Sequence, residues 1–267
     1  MRKIFFIVLL VVASPVLFAQ QTKQDKKEEH RQKINALIKQ EEEGVVTYTK
    51  HTAFGFKLNS DGYGGFLEIG RAQSIKKSLL FQLEISERKH AKEDKQTNPT
   101  YAGPSLIFGK INFFYPVKLG VQQQFLLGNK SNKNGVAVTA NVGGGISLGL
   151  LRPYFLEVFD TTNGARKSIR YESADSSTFS SNYLLINTLG ATGPNLGKGW
   201  SNLKLTPGAY AKAAMRFDYG RYNEVLSAIE VGITAEYYTN KIPQMVFSTP
   251  KNLFVNLYFS LVFGKRK

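Results

Sequence analysis

The chain of 267 residues contains no cysteine. Disulfides, thiolate metal sites and a lipid-modified N-terminal cysteine are thereby excluded. It holds only three histidines, His30, His51 and His90, so imidazole chemistry has three places to act. Beyond the N-terminus it lacks any apolar run long enough for a spanning helix of about 20 residues. If the mature chain sits in a membrane, it must do so as a closed barrel, because lipid offers no partner to open backbone groups. Acidic residues are few: 20 against 35 lysines and arginines, a formal charge of +15. Such an excess suits nucleic acid or an anionic membrane surface. Export, argued next, excludes nucleic acid.

The N-terminus has the parts of a secretory signal. Arg2 and Lys3 form a positive start, Ile4 to Val12 an apolar run, and Ala19 a small residue before the expected cut. Ser14 and Pro15 break the stretch, which is short for an anchor. Residues 1–19 are therefore expected to be a cleaved signal peptide, leading the chain to the outer membrane. Residues 20–50 form a charged periplasmic segment. Ile34, Leu37 and Ile38 fall at helical spacing within it, which predicts a short amphipathic helix ending near Gly44. A solvated tail is the alternative.

From Thr52 onward the period becomes two. In the last strand Leu253, Val255, Leu257, Phe259, Leu261 and Phe263 alternate with Phe254, Asn256, Tyr258, Ser260 and Val262. Val136 to Leu148 alternates with Ala137 to Gly149, and Ile229, Val231 and Ile233 alternate with Glu230, Gly232 and Thr234. Weaker alternations cover 79–86, 107–113, 117–125, 154–158 and 211–218. Ser60-Asp61-Gly62 marks the first hairpin turn. The reading is an all-β, transmembrane, antiparallel up-and-down barrel over residues 51–267, with about ten strands of membrane-crossing length. A hairpin through Tyr183–Leu189 would make about twelve.

Outer-membrane barrels have short periplasmic turns and long outer loops. The expected outward links are Ser60–Gly62, Lys89–Thr100, Gly128–Asn134, Asp160–Asn202 and Asn240–Lys251. The inward links are Ala72–Lys77, Tyr115–Pro116, Leu151–Arg152 and Gly220–Asn223. Apart from the first hairpin, each outward link exceeds each inward one. The loop 160–202 is either a hairpin or an inward plug with Trp200 against the rim.

On the inward register the charged residues are Lys57, Glu68, Glu84, Lys110, Glu157, Lys212, Arg216, Asp218, Glu230 and Glu236. Charges so far from bulk water are costly unless paired, and both signs are present. The lumen is then either packed and salt-bridged or a narrow polar path for a small solute. His30 lies in the charged segment and His51 at the start of the first strand. His90 sits in a charge run near Glu93 and Asp94, which reads as solvated surface. Gly143-Gly144-Gly145 suits a bend in a curved sheet. Gly193 to Gly199 fails the phosphate-loop spacing and lacks its Ser or Thr. No catalytic residue, cofactor or metal site is expected. The outer loops carry Lys89, Lys92, Lys95, Lys130, Lys133, Arg166, Lys167, Arg170, Lys198 and Lys241. They suit phosphates of outer-leaflet lipid, including lipopolysaccharide, or are simply hydrated.

Four stretches carry a resemblance. They are Leu17-Phe18-Ala19-Gln20, Tyr115-Pro116-Val117-Lys118-Leu119-Gly120-Val121, Pro207-Gly208-Ala209-Tyr210, and the closing Val262-Phe263-Gly264-Lys265-Arg266-Lys267. In these the chain resembles the small outer-membrane β-barrel proteins of Bacteroidota, over most of Thr52 to Lys267. The resemblance implies an outer-membrane barrel and brings no catalytic residues. Phe263 is followed by four further residues, where such barrels usually finish on an aromatic. The expected role is non-enzymatic: a structural or accessory subunit of an outer-membrane secretion or assembly machine, with outer-membrane or periplasmic protein partners. The alternative is a narrow channel or ligand-uptake barrel.

Overall fold

A computed structural model describes residue 31 and residues 48–130, 135–160, 164–171, 186, 189–195, 197–220, 224–246 and 248–267. The expected signal peptide and helix, most of Tyr183–Leu189, and Lys133 lie outside the described residues. The described residues form twelve strands: β1 (Lys50–Asn59), β2 (Gly62–Ser74), β3 (Lys77–Arg88), β4 (Lys95–Gln96), β5 (Leu106–Ile107), β6 (Asn112–Gly128), β7 (Ala137–Pro153), β8 (Phe155–Asp160), β9 (Ala165–Arg170), β10 (Lys204–Asp218), β11 (Val225–Ile242) and β12 (Lys251–Arg266). Eight close into a ring in the order β1-β12-β11-β10-β7-β6-β3-β2, all neighbours antiparallel. Closure pairs the two ends of the chain, from His51↔Arg266 to Asn59↔Tyr258.

The alternation seen in the sequence is the alternation of the wall. Along β1, Phe54, Phe56 and Leu58 point out while His51, Ala53 and Lys57 are buried inside. Phe56 is 64% exposed, Ile146 67% and Leu257 63%, whereas Glu68 and Glu230 are 0% exposed. A water-soluble domain buries its apolar face and solvates its charges. Here the arrangement is reversed, so the solvent of the outer wall must be hydrocarbon. From Leu253 to Leu261 the outward face of β12 is apolar at every second residue. At about 3.4 Å per residue and about 40° of tilt, that covers about 20 Å of membrane normal, close to the belt such barrels carry. Exposed Tyr63, Trp200 and Tyr237 lie toward one rim and Tyr219 toward the other, where amphipathic rings favour an interface. This is the architecture of outer-membrane-type barrels.

The ring has eight strands instead of about ten, for two reasons. Tyr115–Pro116 is not a turn, and β6 runs straight through it. Pro116 cannot donate to a ladder, and it sits where the β3–β6 pairing lapses between Ile85↔Val117 and Arg88↔Phe114 with the register unchanged. Its other side stays paired, opposite Gly149. Leu151–Arg152 is not a turn either. Leu151 is inside β7, opposite both Phe114 and Lys204. The segments 107–113 and 154–158 thus supply no wall strands of their own. Because two false turns were counted, the link after β6 also changes ends. The described part of 128–134 lies at the end where β1 begins and β12 finishes, as Lys130 shows by donating to the Gly220 carbonyl at 2.5 Å.

Four connections gather at the opposite end: the β1–β2 turn, 89–111, 154–203 and 243–250. They build a cap. β4 pairs with β5 and β8 with β9, and the chain around Ile107–Ile111 is stitched to its neighbours by Ile111 N–H to the Gln244 carbonyl (2.8 Å), Val246 N–H to Gly109 (2.8 Å) and Tyr154 N–H to Ile111 (2.8 Å). Leu106, Ile107, Tyr154, Leu156, Val158, Ala191 and Met245 form its apolar core. The described parts of the link 154–203 therefore pack over the barrel end, with Trp200 stacked on Tyr115 at 5.5 Å. No helix among the described residues is long and apolar enough to cross a membrane.

Candidate functional site

Eight of the ten charged residues picked out by register line the lumen: Lys57, Glu68, Glu84, Lys212, Arg216, Asp218, Glu230 and Glu236, each no more than 3% exposed. They stand in tiers. Toward the terminus end, Arg216 on β10 spans Glu68 on β2 and Glu230 on β11. Its Nη1 and Nη2 donate to the two Glu68 oxygens at 2.7 and 2.8 Å, and its Nε donates to Glu230 at 2.8 Å. Glu68 also meets His51 Nε2 at 3.0 Å. Glu230 further accepts from Lys212 (2.8 Å), Tyr258 (2.7 Å) and Asn141 (2.9 Å).

The next tier begins at Glu84, which holds Lys57 at 2.9 Å and Lys118 at 2.8 Å. Lys118 continues to Glu236 at 2.7 Å, and Arg88 joins Glu236 (2.7 Å) to Asp61 (2.9 Å). Lys57 Nζ also lies 3.9 Å over the ring of Tyr258. Gln82 bridges the tiers, accepting from Lys212 at 3.1 Å and from Gln122. Above this, Phe114, Leu151, Tyr238 and Ile242, with Phe254 against them, form an apolar layer under the cap.

The side chains of both charged tiers are only 0–3% exposed, so the lumen is packed there. Each carboxylate there is answered by at least two donors, the condition under which a buried charge is tolerable. Tyr210 completes the packing. Its hydroxyl lies where a side chain on Gly120 would project, and a Cβ on Gly145 would collide with the Leu119 carbonyl oxygen. The glycines of β6 and β7 thus mark a close approach between strands and ring, as the bend reading of Gly143–Gly145 anticipates in part.

Lys110 and Glu157 are not in the lumen. The stretch that carries Lys110 is a turn in the cap and not a wall strand. Its Nζ pairs with Glu93 at 2.6 Å, and burial there pulls its pKa below the usual lysine value. Glu157 is on β8 in the cap and faces Lys198 at 3.7 Å. Conversely, the list by register omits Lys118, Arg88 and His51, which the network uses. The same alternation marks them: Lys118 follows the inward set of β6, and Arg88 continues that of β3 past the point where the sequence turns polar. Asp218 sits lowest, taking Lys130 at 3.4 Å and Arg266. Lys130, expected in an outer loop, is at the terminus end for the reason given above. Lys92, Lys95, Arg166, Lys167 and Lys241 are exposed at the cap end.

His90 is better partnered than a solvated run suggests. Its Nε2 lies 2.9 Å from Ser248 Oγ. The Lys92 backbone N–H donates to its Nδ1 at 3.1 Å, which leaves the neutral ring's proton on Nε2. That nitrogen must then donate to the serine and cannot act as its base. The recess beside the pair has a volume of about 20 Å³, room for little more than a water. Burial lowers the His90 pKa. Among the described residues no cluster of three His, Cys, Asp or Glu side chains could hold a metal.

No protein-family model matches the chain, and no curated protein matches it. Solved structures do align with it. Neisserial surface protein A shares 10% identity over 82% of this chain and 96% of its own, with a TM-score of 0.39. The N-terminal β-barrel domain of Pseudomonas aeruginosa OprF shares 9% over 81% and 98%, at 0.35. The attachment invasion locus protein of Yersinia pestis, solved with the heparin analogue sucrose octasulfate, shares 8% over 83% and 100%, at 0.35. Likeness this low leaves the functional reading to the chain's own wall, lumen and cap.

Proposed function

We propose that this chain is a non-enzymatic integral protein of the outer membrane of a Gram-negative bacterium, of the Bacteroidota type its sequence resembles, acting as a structural or accessory subunit of a secretion or assembly machine. The observation that carries the reading is the lumen: two tiers of mutually satisfied charges under an aromatic layer and a packed cap. A barrel built this way passes nothing through its axis and presents its ends instead. The wrong tautomer at His90 and the absence of space beside it speak against hydrolysis. The exposed cations of the cap suit phosphates of the outer leaflet, and the charged segment 20–47 suits a periplasmic protein partner.

Two measurements test this. Verified insertion into planar bilayers should give no conductance steps. Steps that change on neutralising Lys212 or Arg216 would replace the reading by a narrow uptake channel. Deleting residues 21–44 should release proteins that co-purify with the full chain, and unchanged partners would remove the contact role of that segment.

A further inference from the structure

The lumen is not sealed at its very bottom. Below the Arg216 tier, at the end where β1 begins and β12 finishes, the wall surrounds a cavity of about 410 Å³. That lies in the range of small-molecule sites, about 300–1,000 Å³. The lumen above it is packed, so this volume is local and does not belong to a through-passage.

The cavity has a polar side with donors left over. Arg266, on β12, has a side chain only 7% exposed. One of its nitrogens, Nη2, is spent on Asp218. Its Nε and Nη1 have no hydrogen-bond partner among the described residues. His51 Nδ1, on a residue that also lines the cavity, is without a partner too, but with Nε2 donating to the Glu68 carboxylate it is an acceptor in the neutral ring. Buried N–H donors are rarely left unmade, because each forfeits its hydration without return. Arg266 lines this cavity, and a buried guanidinium with two unpartnered donors is a group that an oxyanion completes.

The charge balance points the same way. Arg216 is fully committed to Glu68 and Glu230, so it adds nothing to the cavity. Among the described residues that line this wall Asp218 is the one acidic side chain, and it already faces two cations, Lys130 and Arg266. Exposed Lys76 and Lys267 stand at the rim. The mouth is therefore net positive. Ile75, Leu126, Ala137 and Leu226 form an apolar side of the wall, and Ser74, Ser78, Gln124 and Thr139 a neutral polar one. Tyr48 crosses the opening, its hydroxyl donating to Gln124 on β6 at 3.0 Å and its ring 5.0 Å from the Arg266 guanidinium. It leaves a bounded entrance and an aromatic face.

We propose that this cavity binds a small organic anion, a phosphate or carboxylate head on a short apolar body, with the head on Arg266 and the body against Ile75, Leu126 and Leu226. The site belongs to the end of the barrel where β1 begins and β12 finishes, and it does not depend on the subunit role argued above.

The test uses the whole mature chain in zwitterionic nanodiscs, titrated calorimetrically with phenylphosphate, benzoate, inorganic phosphate and neutral benzamide, with empty nanodiscs as blank. Phenylphosphate or benzoate should bind at least tenfold more tightly than benzamide and than inorganic phosphate. The two arms tell a phosphate site from a carboxylate one. Arg266→Gln should weaken the better anion at least tenfold. Because that variant also loosens Asp218, Leu126→Trp serves as a second: it fills the cavity from the apolar wall without touching an ion pair, and should abolish binding while the heat-modifiable gel shift persists. Equal affinity for benzamide, binding unaltered in both variants, or no binding of either organic anion at millimolar concentration would each overturn the proposal.

Discussion

Replacing Arg216 by methionine puts the lumen network to its sharpest test. The substitution keeps the length of the stem and removes the cation that spans Glu68 and Glu230. Removing one partner of a buried ion pair costs about 3–5 kcal/mol, mostly as the penalty of the stranded charge. The two carboxylates are not stranded equally. Glu230 keeps Lys212, Tyr258 and Asn141, all within 2.9 Å. Glu68 keeps only His51, at 3.0 Å. The loss should therefore fall on Glu68. Arg216→Met should lower the stability of the folded barrel by about 3–5 kcal/mol, roughly two to three and a half decades in the folded-to-unfolded ratio at about 1.4 kcal/mol per decade. Adding Glu68→Gln should recover more than half of it, and adding Glu230→Gln should recover little or make matters worse by idling Lys212. The assay is urea unfolding in phospholipid vesicles, with the folded fraction read as the unheated gel band. A loss under about 1 kcal/mol, or better rescue by Glu230→Gln, would refute the assignment of cost.

Other expectations follow from the same geometry. Gly145→Val should prevent closure or lower stability by more than about 3 kcal/mol, since the added carbon meets the Leu119 backbone and not a movable side chain; the gel shift reads it. The cap should loosen in acid. Burial lowers the folded His90 pKa below the ordinary 6.5, so protonation favours the open cap: protection is full above about 6.5 and is lost as pH falls through the folded value. Amide exchange or proteolysis of residues 89–100 between pH 8 and 5 would show it, and His90→Asn should flatten the profile. His90→Ala and Ser248→Ala should leave ester hydrolysis by the purified protein at the blank rate; activity lost on either change would show that the cap hydrolyses esters.

What could be read from the sequence was the wall. Alternation in 253–263, 136–149 and 229–236 names the outward and inward residues because every strand of a barrel faces lipid on one side, leaving the pattern uninterrupted. Strand number was harder to read. Tyr115-Pro116 has turn chemistry, and only the pairing gap beside Val117 explains why a proline fits there. Leu151-Arg152 looked like a turn because the polar cap begins just after it. Two false turns change the parity twice, so the C-terminus still came out at the correct end and the loop-length rule still looked satisfied. Only the link after β6 was displaced, and Lys130 with it. In the lumen, register identified who points inward but not who pairs with whom, since partners such as Arg216 and Glu68 lie far apart in the chain and meet only on closure. Lys110 and Glu157 were misplaced because the cap borrows strand-like alternation for its own apolar core.

The two-sided wall also bears on how such a chain travels. Spread along the sequence, its outward residues never stand together, so no stretch after the N-terminus has the continuous greasiness that would hold it in the first bilayer it crosses. Only when the first and last strands meet, from His51↔Arg266 to Asn59↔Tyr258, do these scattered side chains become a single ring of hydrocarbon-loving surface. Affinity for lipid is thus a property the polypeptide acquires on closing. Until that moment, an unclosed chain shows both a bare strand edge and its buried charges to water, which keeps it transportable and makes its final insertion one cooperative event.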